Sequence, residues 1–182
     1  MATRTRSALA PVAVAAVLVA ALTAAIAWGG TGTGQISVAS AATEQFHSLG
    51  AAKGAGYALL KDKNGVACIA MDSMPGMGAM GVHYAKSGLV ADGKLNVRHP
   101  EALVYAPAAG GKLELAAVEY VVLKQAWDAR HASRPVLFGH GFNETPAGNR
   151  FGLPAYYSLH VWLWQHNPSG LFSMWNPEVS CK

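Results

Sequence analysis

The chain has few charged residues, only two cysteines and none of the common catalytic signatures. Charged residues make up 13% of its 182 positions, and no basic stripe interleaved with aromatic residues is present, so the sequence does not indicate nucleic-acid binding. A Gly-x-Ser-x-Gly elbow and a His-Glu-x-x-His helix are also missing, which removes the usual signatures of α/β-hydrolases and zinc proteases. Any function must therefore be inferred from less specific patterns.

The N-terminus has the pattern of an export signal. Arg4 and Arg6 precede an uncharged apolar run over residues 8–28, which contains a small-x-small segment ending at Ala27. We therefore predict a signal peptide over residues 1–27 and a secreted or extracytoplasmic location in the cell envelope. An uncleaved leader that anchors the protein in the membrane is the alternative, because a run of about 20 apolar residues can span a bilayer.

The rest of the chain is predicted to form a single globular domain. Residues 28–42 are rich in Gly, Ser, Thr and Ala, which is typical of a flexible linker. Residues 43–182 are enough for one domain with its own core but not for two. Membrane attachment is expected only through an uncleaved leader, because no second apolar run is long enough to span a bilayer.

Local patterns indicate an α+β fold with a mostly antiparallel sheet and long loops. A short N-terminal helix is expected from Thr43 to Lys53, where glycines end it. Strands are expected over residues 67–71, 82–85, 103–106, 113–123 and 156–165, separated by Pro- and Gly-rich turns. Neighbouring strands should be antiparallel, with a hairpin between the third and the fourth, because no long helical crossover is available. The irregular stretch over residues 128–154 is predicted to form one wall of a site.

Cys68 and Cys181 are predicted to form one disulfide bond. An even number of cysteines in an exported protein favours this pairing. Two thiolate metal ligands are the alternative, but neither cysteine has a Cys-x-x-Cys partner or a histidine at zinc-finger spacing. A disulfide between them would tie down the C-terminus.

Four methionines and one histidine follow one another at three-residue spacing. They are Met71, Met74, Met77, Met80 and His83. Thioethers favour Cu(I) and imidazole binds copper, zinc or nickel, so an exported loop of this kind favours copper. Packing in the core is the alternative, because methionine fills irregular gaps well. Met80 and His83 are stronger ligand candidates than the outer methionines.

Two predicted strands each place an ionisable residue among apolar neighbours. Alternation along the fourth strand groups Glu119 with Leu113, Leu115, Ala117 and Val121. Alternation along the last strand groups His160 with Tyr156, Ser158, Trp162 and Trp164. A carboxylate in such surroundings needs a hydrogen bond, a proton, an opposite charge or a metal ion.

His83, Glu119 and His160 together would make a two-histidine, one-carboxylate metal set with Met80 beside it. For each histidine alone, a hydrogen-bonded imidazole in the core is the alternative. Glu101 and His140 are weaker candidates for catalytic proton transfer. His140 is considered because it lies between two glycines in the long loop, where access is easy.

The chain resembles an uncharacterised family of small exported bacterial proteins. The resemblance rests on Gly-Ala-Met-Gly-x-His-Tyr, Pro-Glu-x-Leu-x-Tyr-x-Pro, Val-Glu-Tyr and His-Val-Trp-Leu-Trp…Asn-Pro-x-Gly-x-Phe…Trp-Asn-Pro…Cys motifs at residues 78–84, 100–107, 118–120 and 160–181. It implies export and a single domain, but no activity. Met80, His83, Glu101, Glu119 and His160 belong to these motifs. Met74 and Met77 do not, which favours the His/Glu set over a metal site formed by the four methionines.

Three functions are consistent with these patterns. The first is an exported protein that binds a metal ion, copper or zinc, or a small ligand. The second is a metal-dependent extracytoplasmic enzyme, and the third is a non-catalytic envelope domain in which the trio is a buried hydrogen-bond network. A protein partner is not indicated.

Overall fold

The computed structural model describes Met1 and residues 32–182, so the predicted signal peptide lies outside the described residues except for Met1. The α-helices in this part of the chain are Gly32–Thr43 (α1), Leu49–Gly54 (α2), Ser87–Ala91 (α3) and Lys124–Asp128 (α4), with 3-10 helices at Glu44–His47 and Ala109–Gly111. The strands are Ala58–Leu59 (β1), Cys68–Ala70 (β2), Ala79–Ala85 (β3), Ala102–Pro107 (β4), Leu113–Leu123 (β5), Val136–Leu137 (β6), His140–Gly141 (β7), Asn143–Thr145 (β8) and Tyr156–Val161 (β9). None of the helices in residues 32–182 is both long and apolar enough for a membrane span.

Seven strands form one antiparallel sheet, which confirms the predicted fold class. The strand order is β1-β3-β4-β5-β9-β8, and β2 pairs with the same edge of β3 as β1. The hairpin predicted between the third and fourth strands joins β4 to β5. A disulfide bond joins Cys68 to Cys181, as predicted.

The four central strands separate two clusters of buried apolar side chains. The larger cluster contains the big side chains of β3, β4, β5 and β9, among them Val82, Tyr84, Leu103, Tyr105, Val118, Tyr120, Leu159 and Val161, and the N-terminal helices pack against it. The smaller cluster contains Ala79, Val104, Ala106, Ala116, Ala117, Trp162 and Val179. Because side chains alternate along a strand, His83, Glu119 and His160 point to the face opposite the larger cluster.

A bulge in β5 corrects the predicted grouping of residues around Glu119. The pairing with β4 passes from Leu115 directly to Ala117, so Ala116 is an extra residue on β5. A bulge of this kind shifts the alternation of side chains by one position. Leu113 and Leu115 therefore contact the larger core, and the prediction that they share a face with Glu119 is wrong.

The last strand is also shorter than predicted. β9 ends at Val161, and the backbone N–H of Trp164 donates to the carbonyl of Ala116 in the bulge at 3.0 Å. Trp164 then packs against the larger core. The predicted grouping of Trp164 with His160 is wrong, because regular strand alternation ends at Val161.

The segment predicted as a flexible linker is helical from Gly32 onward, so that prediction is wrong for residues 32–42. Ala39 is fully buried in the larger core and Ile36 packs against it. Its Gly, Ser and Thr residues have low helix propensity, and burial of its apolar side stabilises the helix instead. The helix predicted after it is present in two pieces, a 3-10 turn and α2, and Ser48 caps α2 by accepting the N–H of Ala51 at 3.3 Å.

The loop before β3 is expected to tolerate alanine at Gly76 far better than at Gly78. Both glycines have positive φ, +87° and +72°, but a Cβ at Gly78 would lie 2.0 Å from the carbonyl oxygen of Asn176 whereas Gly76 faces open space. Gly76→Ala should cost roughly 1–2 kcal/mol from backbone strain alone, and Gly78→Ala roughly 2 kcal/mol more because of the clash. Urea unfolding of the two variants measures the difference, and equal losses would contradict the close approach.

Candidate metal centre

His83, Glu119 and His160 converge on one point although they lie on three different strands. Glu119 on β5 pairs directly with His160 on β9 and with Ala102 on β4. His83 lies on β3, on the far side of β4. All three residues are buried, with 1%, 9% and 2% of their surface exposed.

Two of the distances among these side chains are close to those between metal ligands. The Nε2 atom of His83 lies 3.3 Å from Nε2 of His160 and 3.5 Å from Oε2 of Glu119. One ligand atom from each residue can be chosen so that all three lie within 4.8 Å of one another. A tetrahedral zinc ion with bonds of about 2.0–2.1 Å would place neighbouring ligand atoms roughly 3.3–3.4 Å apart. The trio could therefore hold a metal ion.

Burial controls the protonation of the cluster. It lowers the pKa of His83 to about 4, an effect that the Glu119 carboxylate opposes and the neighbouring His160 reinforces. It also lowers the pKa of His160 to about 4 and raises the pKa of Glu119, against the stabilising influence of His83 and of the Ser158 hydroxyl. Both imidazoles are neutral near pH 7, which is the form that binds metal ions.

The cluster also has a possible hydrogen-bond arrangement without a metal ion. His83 Nε2 can donate to His160 Nε2, while His160 Nδ1 lies 3.5 Å from Oε1 of Glu119. This arrangement leaves Nδ1 of His83 buried and, within residues 32–182, without a hydrogen-bond partner. If Nδ1 of His83 carries the proton instead of Nε2, the Nε2 lone pairs of His83 and His160 and a carboxylate oxygen of Glu119 face one another. This arrangement favours a cation between them.

A cavity of about 250 Å³ opens beside the cluster. Its lining residues are Met80, His83, Glu119, Thr145, Asn149, Arg150, Phe151, Tyr156, Ser158 and Met174. Two of the three candidate ligands thus face a space where an additional ligand or a substrate could bind. Four lining residues come from the stretch 128–154, so this stretch forms one wall of the cavity.

The four methionines at three-residue spacing lie in different regions of the structure. Met80 lines the cavity beside His83. Met71 and Met74 line a different surface cavity next to the disulfide, and Met74 and Met77 are 48% and 37% exposed. The structure therefore does not bring the three outer methionines to the His83 cluster.

The two weaker catalytic candidates also lie away from the cavity. Glu101 is buried, and its Oε2 accepts the N–H of Val121 at 2.9 Å. His140 is exposed on β7, with its ring 4.1 Å from that of Phe172. Neither residue lines the cavity, so a role in proton transfer there has no geometric support.

Sequence reasoning missed Arg150, Phe151 and Met174 as cavity residues. Tyr156 and Ser158 were grouped with His160 by alternation along the strand, and they line the cavity as that grouping implies. Arg150 and Phe151 carry no periodic signal because they lie in an irregular turn. Met174 carries none either, since it reaches the cavity from the C-terminal segment.

No known family model matches the chain, and neither a curated protein nor a solved structure is significantly similar to it. The resemblance to small exported bacterial proteins therefore stays a prediction. Interpretation of the site rests on its own geometry and chemistry.

Proposed function

We propose that this is an exported protein that binds a transition-metal ion through His83, Glu119 and His160. The observation that carries the proposal is the convergence of two neutral imidazoles and a carboxylate in a buried place. Export is supported by the charged and apolar N-terminal pattern and by the disulfide, which is typical of oxidising compartments.

Zinc and copper are the metals that the site favours. Two histidines and a glutamate, with a further position open to solvent, are a common zinc ligand set. The thioethers of Met80 and Met174 line the adjacent cavity and favour copper, especially Cu(I), if either joins the coordination. Calcium and magnesium are disfavoured because they require mainly oxygen ligands.

Metal-dependent catalysis is a second candidate function. The specific observation in its favour is the cavity beside His83 and Glu119, because catalytic metal sites keep one coordination position open to water or substrate. A metal ion there would polarise a bound group or lower the pKa of a bound water. Assays of the metal-loaded protein on a panel of hydrolytic substrates would separate catalysis from binding alone.

Metal content is the direct test of the proposed function. The domain exported to the periplasm and purified without chelator should contain close to one equivalent of zinc or copper by elemental mass spectrometry. His83→Ala with His160→Ala should contain almost none, because two of three ligands are lost. His99→Ala with His166→Ala removes two exposed histidines and should retain the metal.

The same variants distinguish a metal site from a buried hydrogen-bond network. Added metal at 1,000 times its Kd should stabilise the wild type by about 4 kcal/mol and leave the His83→Ala, His160→Ala variant unchanged. Circular dichroism would establish that the variant is folded, and Glu119→Gln provides a second, near-isosteric variant. Negligible metal in the wild type, with lower stability in the double variant, would refute the proposal and favour the network.

A further inference from the structure

Arg150 has unused hydrogen-bonding capacity at the cavity. Its guanidinium lines the same space as His83 and Glu119. Among the described residues, its one side-chain hydrogen bond runs from Nη2 to Oδ2 of Asp62 at 3.0 Å. The Nε atom is buried and has no partner. The side chain is 39% exposed, and its other guanidinium N–H groups make no hydrogen bond within residues 32–182, so an acceptor supplied by a ligand could bind to them.

The arginine is held in place by its neighbours. The side chain of Asp62 is 2% exposed and also accepts the N–H groups of Asn64 and Val66, each at 2.9 Å. The backbone carbonyl of Arg150 accepts the N–H of Lys63 at 3.0 Å. Both the head group and the backbone of Arg150 are therefore restrained, which reduces the conformational freedom that is lost when a ligand binds.

The turn that carries Arg150 is itself rigid. The Asn149 side chain donates to the carbonyls of Pro146 and Leu153 and accepts the N–H groups of Phe151 and Leu153, at distances between 2.8 and 3.2 Å. This turn also places the Phe151 ring beside that of His83, with 6.4 Å between centroids. The cavity thus has a fixed cationic group and an apolar wall near the candidate metal ligands.

The charges and the size of the cavity indicate the kind of ligand. A divalent metal ion with Glu119 and two neutral imidazoles keeps a net charge of about +1. The planar guanidinium of Arg150 matches the paired oxygens of a carboxylate or phosphate. A cavity of about 250 Å³ is slightly below the range of roughly 300–1,000 Å³ that drug-sized ligands occupy, so the ligand should be small.

From this arrangement, which rests on the proposed metal site, we infer that the cavity binds a small oxyanion between the metal ion and Arg150. One oxygen of the carboxylate or phosphate group occupies the open metal position. Another accepts from the exposed N–H groups of the guanidinium. Met80, Phe151 and Met174 limit the remainder of the ligand to a small group.

Calorimetric titration of the zinc-loaded protein with inorganic phosphate and, separately, with malonate tests this inference and distinguishes phosphate from carboxylate. At least one of the two anions should bind the wild type. Arg150→Met should weaken the binding of that anion roughly 10- to 100-fold, because a charged hydrogen-bonding group is lost. The zinc content should stay the same. Arg150→Lys should be intermediate, since it keeps the charge without the planar fork. Arg134→Met is the matched control, because Arg134 also pairs with a carboxylate, Glu144, but lies outside the cavity.

Three results would overturn the inference, and elemental analysis of the same samples separates it from the proposed function. Equal anion affinity in the wild type and Arg150→Met, at full zinc content, would show that Arg150 does not bind the anion. The proposed metal site would then still stand. Equal affinity with and without zinc would show that the metal does not take part. Absence of zinc from the wild type after loading would refute the metal site and the bridging ligand together.

Discussion

Replacing both Cys68 and Cys181 by serine is expected to lower the free energy of unfolding by about 5 kcal/mol. The two cysteines are 113 positions apart, and closing a loop of this length in the unfolded chain corresponds to about 4.8 kcal/mol in the chain-entropy model. A domain of this size is commonly stable by only about 5–15 kcal/mol. The variant should therefore be close to the limit of stability at 25 °C.

The C-terminal segment should be the first part of the domain to loosen without the disulfide. Asn176 exchanges two backbone hydrogen bonds with Ala79 at the start of β3, each at 3.1 Å, and Val179 is buried in the smaller core cluster. Met174 belongs to the same segment and lines the cavity. Loss of the disulfide should therefore also increase hydrogen exchange near the candidate metal centre.

Urea unfolding of the oxidised wild type, the reduced wild type and the Cys68→Ser, Cys181→Ser variant measures this effect. The last two should agree with each other, because each lacks the cross-link. A loss of less than about 1 kcal/mol in both would contradict the loop-closure estimate and would indicate that the unfolded chain is already compact.

The sheet could be predicted from the sequence because local signals agree with the tertiary structure. Alternating apolar residues and Pro- or Gly-rich turns located β2, β3, β4, β5 and β9 to within a few residues. The bulge at Ala116 could not be predicted, because it depends on which residues of β4 pair with β5. Nor could α1, since its composition is also that of a linker and only packing of Ile36 and Ala39 against the core decides between the two.

The candidate ligands could be predicted for a different reason. Glu119 and His160 are ionisable residues in apolar strands, where they need a partner, and the ligand chemistry of two histidines and a carboxylate grouped them with His83. Their convergence required the strand order β3-β4-β5-β9, which the sequence does not encode locally. Arg150 and Met174 reach the cavity from a turn and from the C-terminal segment, so no periodic pattern identifies them.

Because of Glu101, we expect the free energy of unfolding to fall as the pH rises toward 8. Burial raises the pKa of this carboxyl to about 8 from an ordinary value of 4.5. Between these two values the folded state binds a proton that the unfolded state does not, so the free energy of unfolding decreases with rising pH. Each pH unit in this window corresponds to about 1.4 kcal/mol, and the whole window to about 5 kcal/mol. Above pH 8 both states are ionised and the loss is constant.

Glu101→Gln should remove this dependence, because a neutral amide can still accept the N–H of Val121, which Glu101 accepts at 2.9 Å. The stability advantage of the variant over the wild type should grow by about 2 kcal/mol between pH 6.5 and pH 8. The two buried histidines contribute equally to both proteins, and Glu119, whose charge also raises the pKa of Glu101, adds only a smaller effect than burial does. Urea unfolding with a chelator present measures it, and Glu114→Gln, at an exposed position on the same sheet, should show no such change. An advantage of the same size at both pH values would mean that Glu101 is already ionised in the folded protein at pH 6.5.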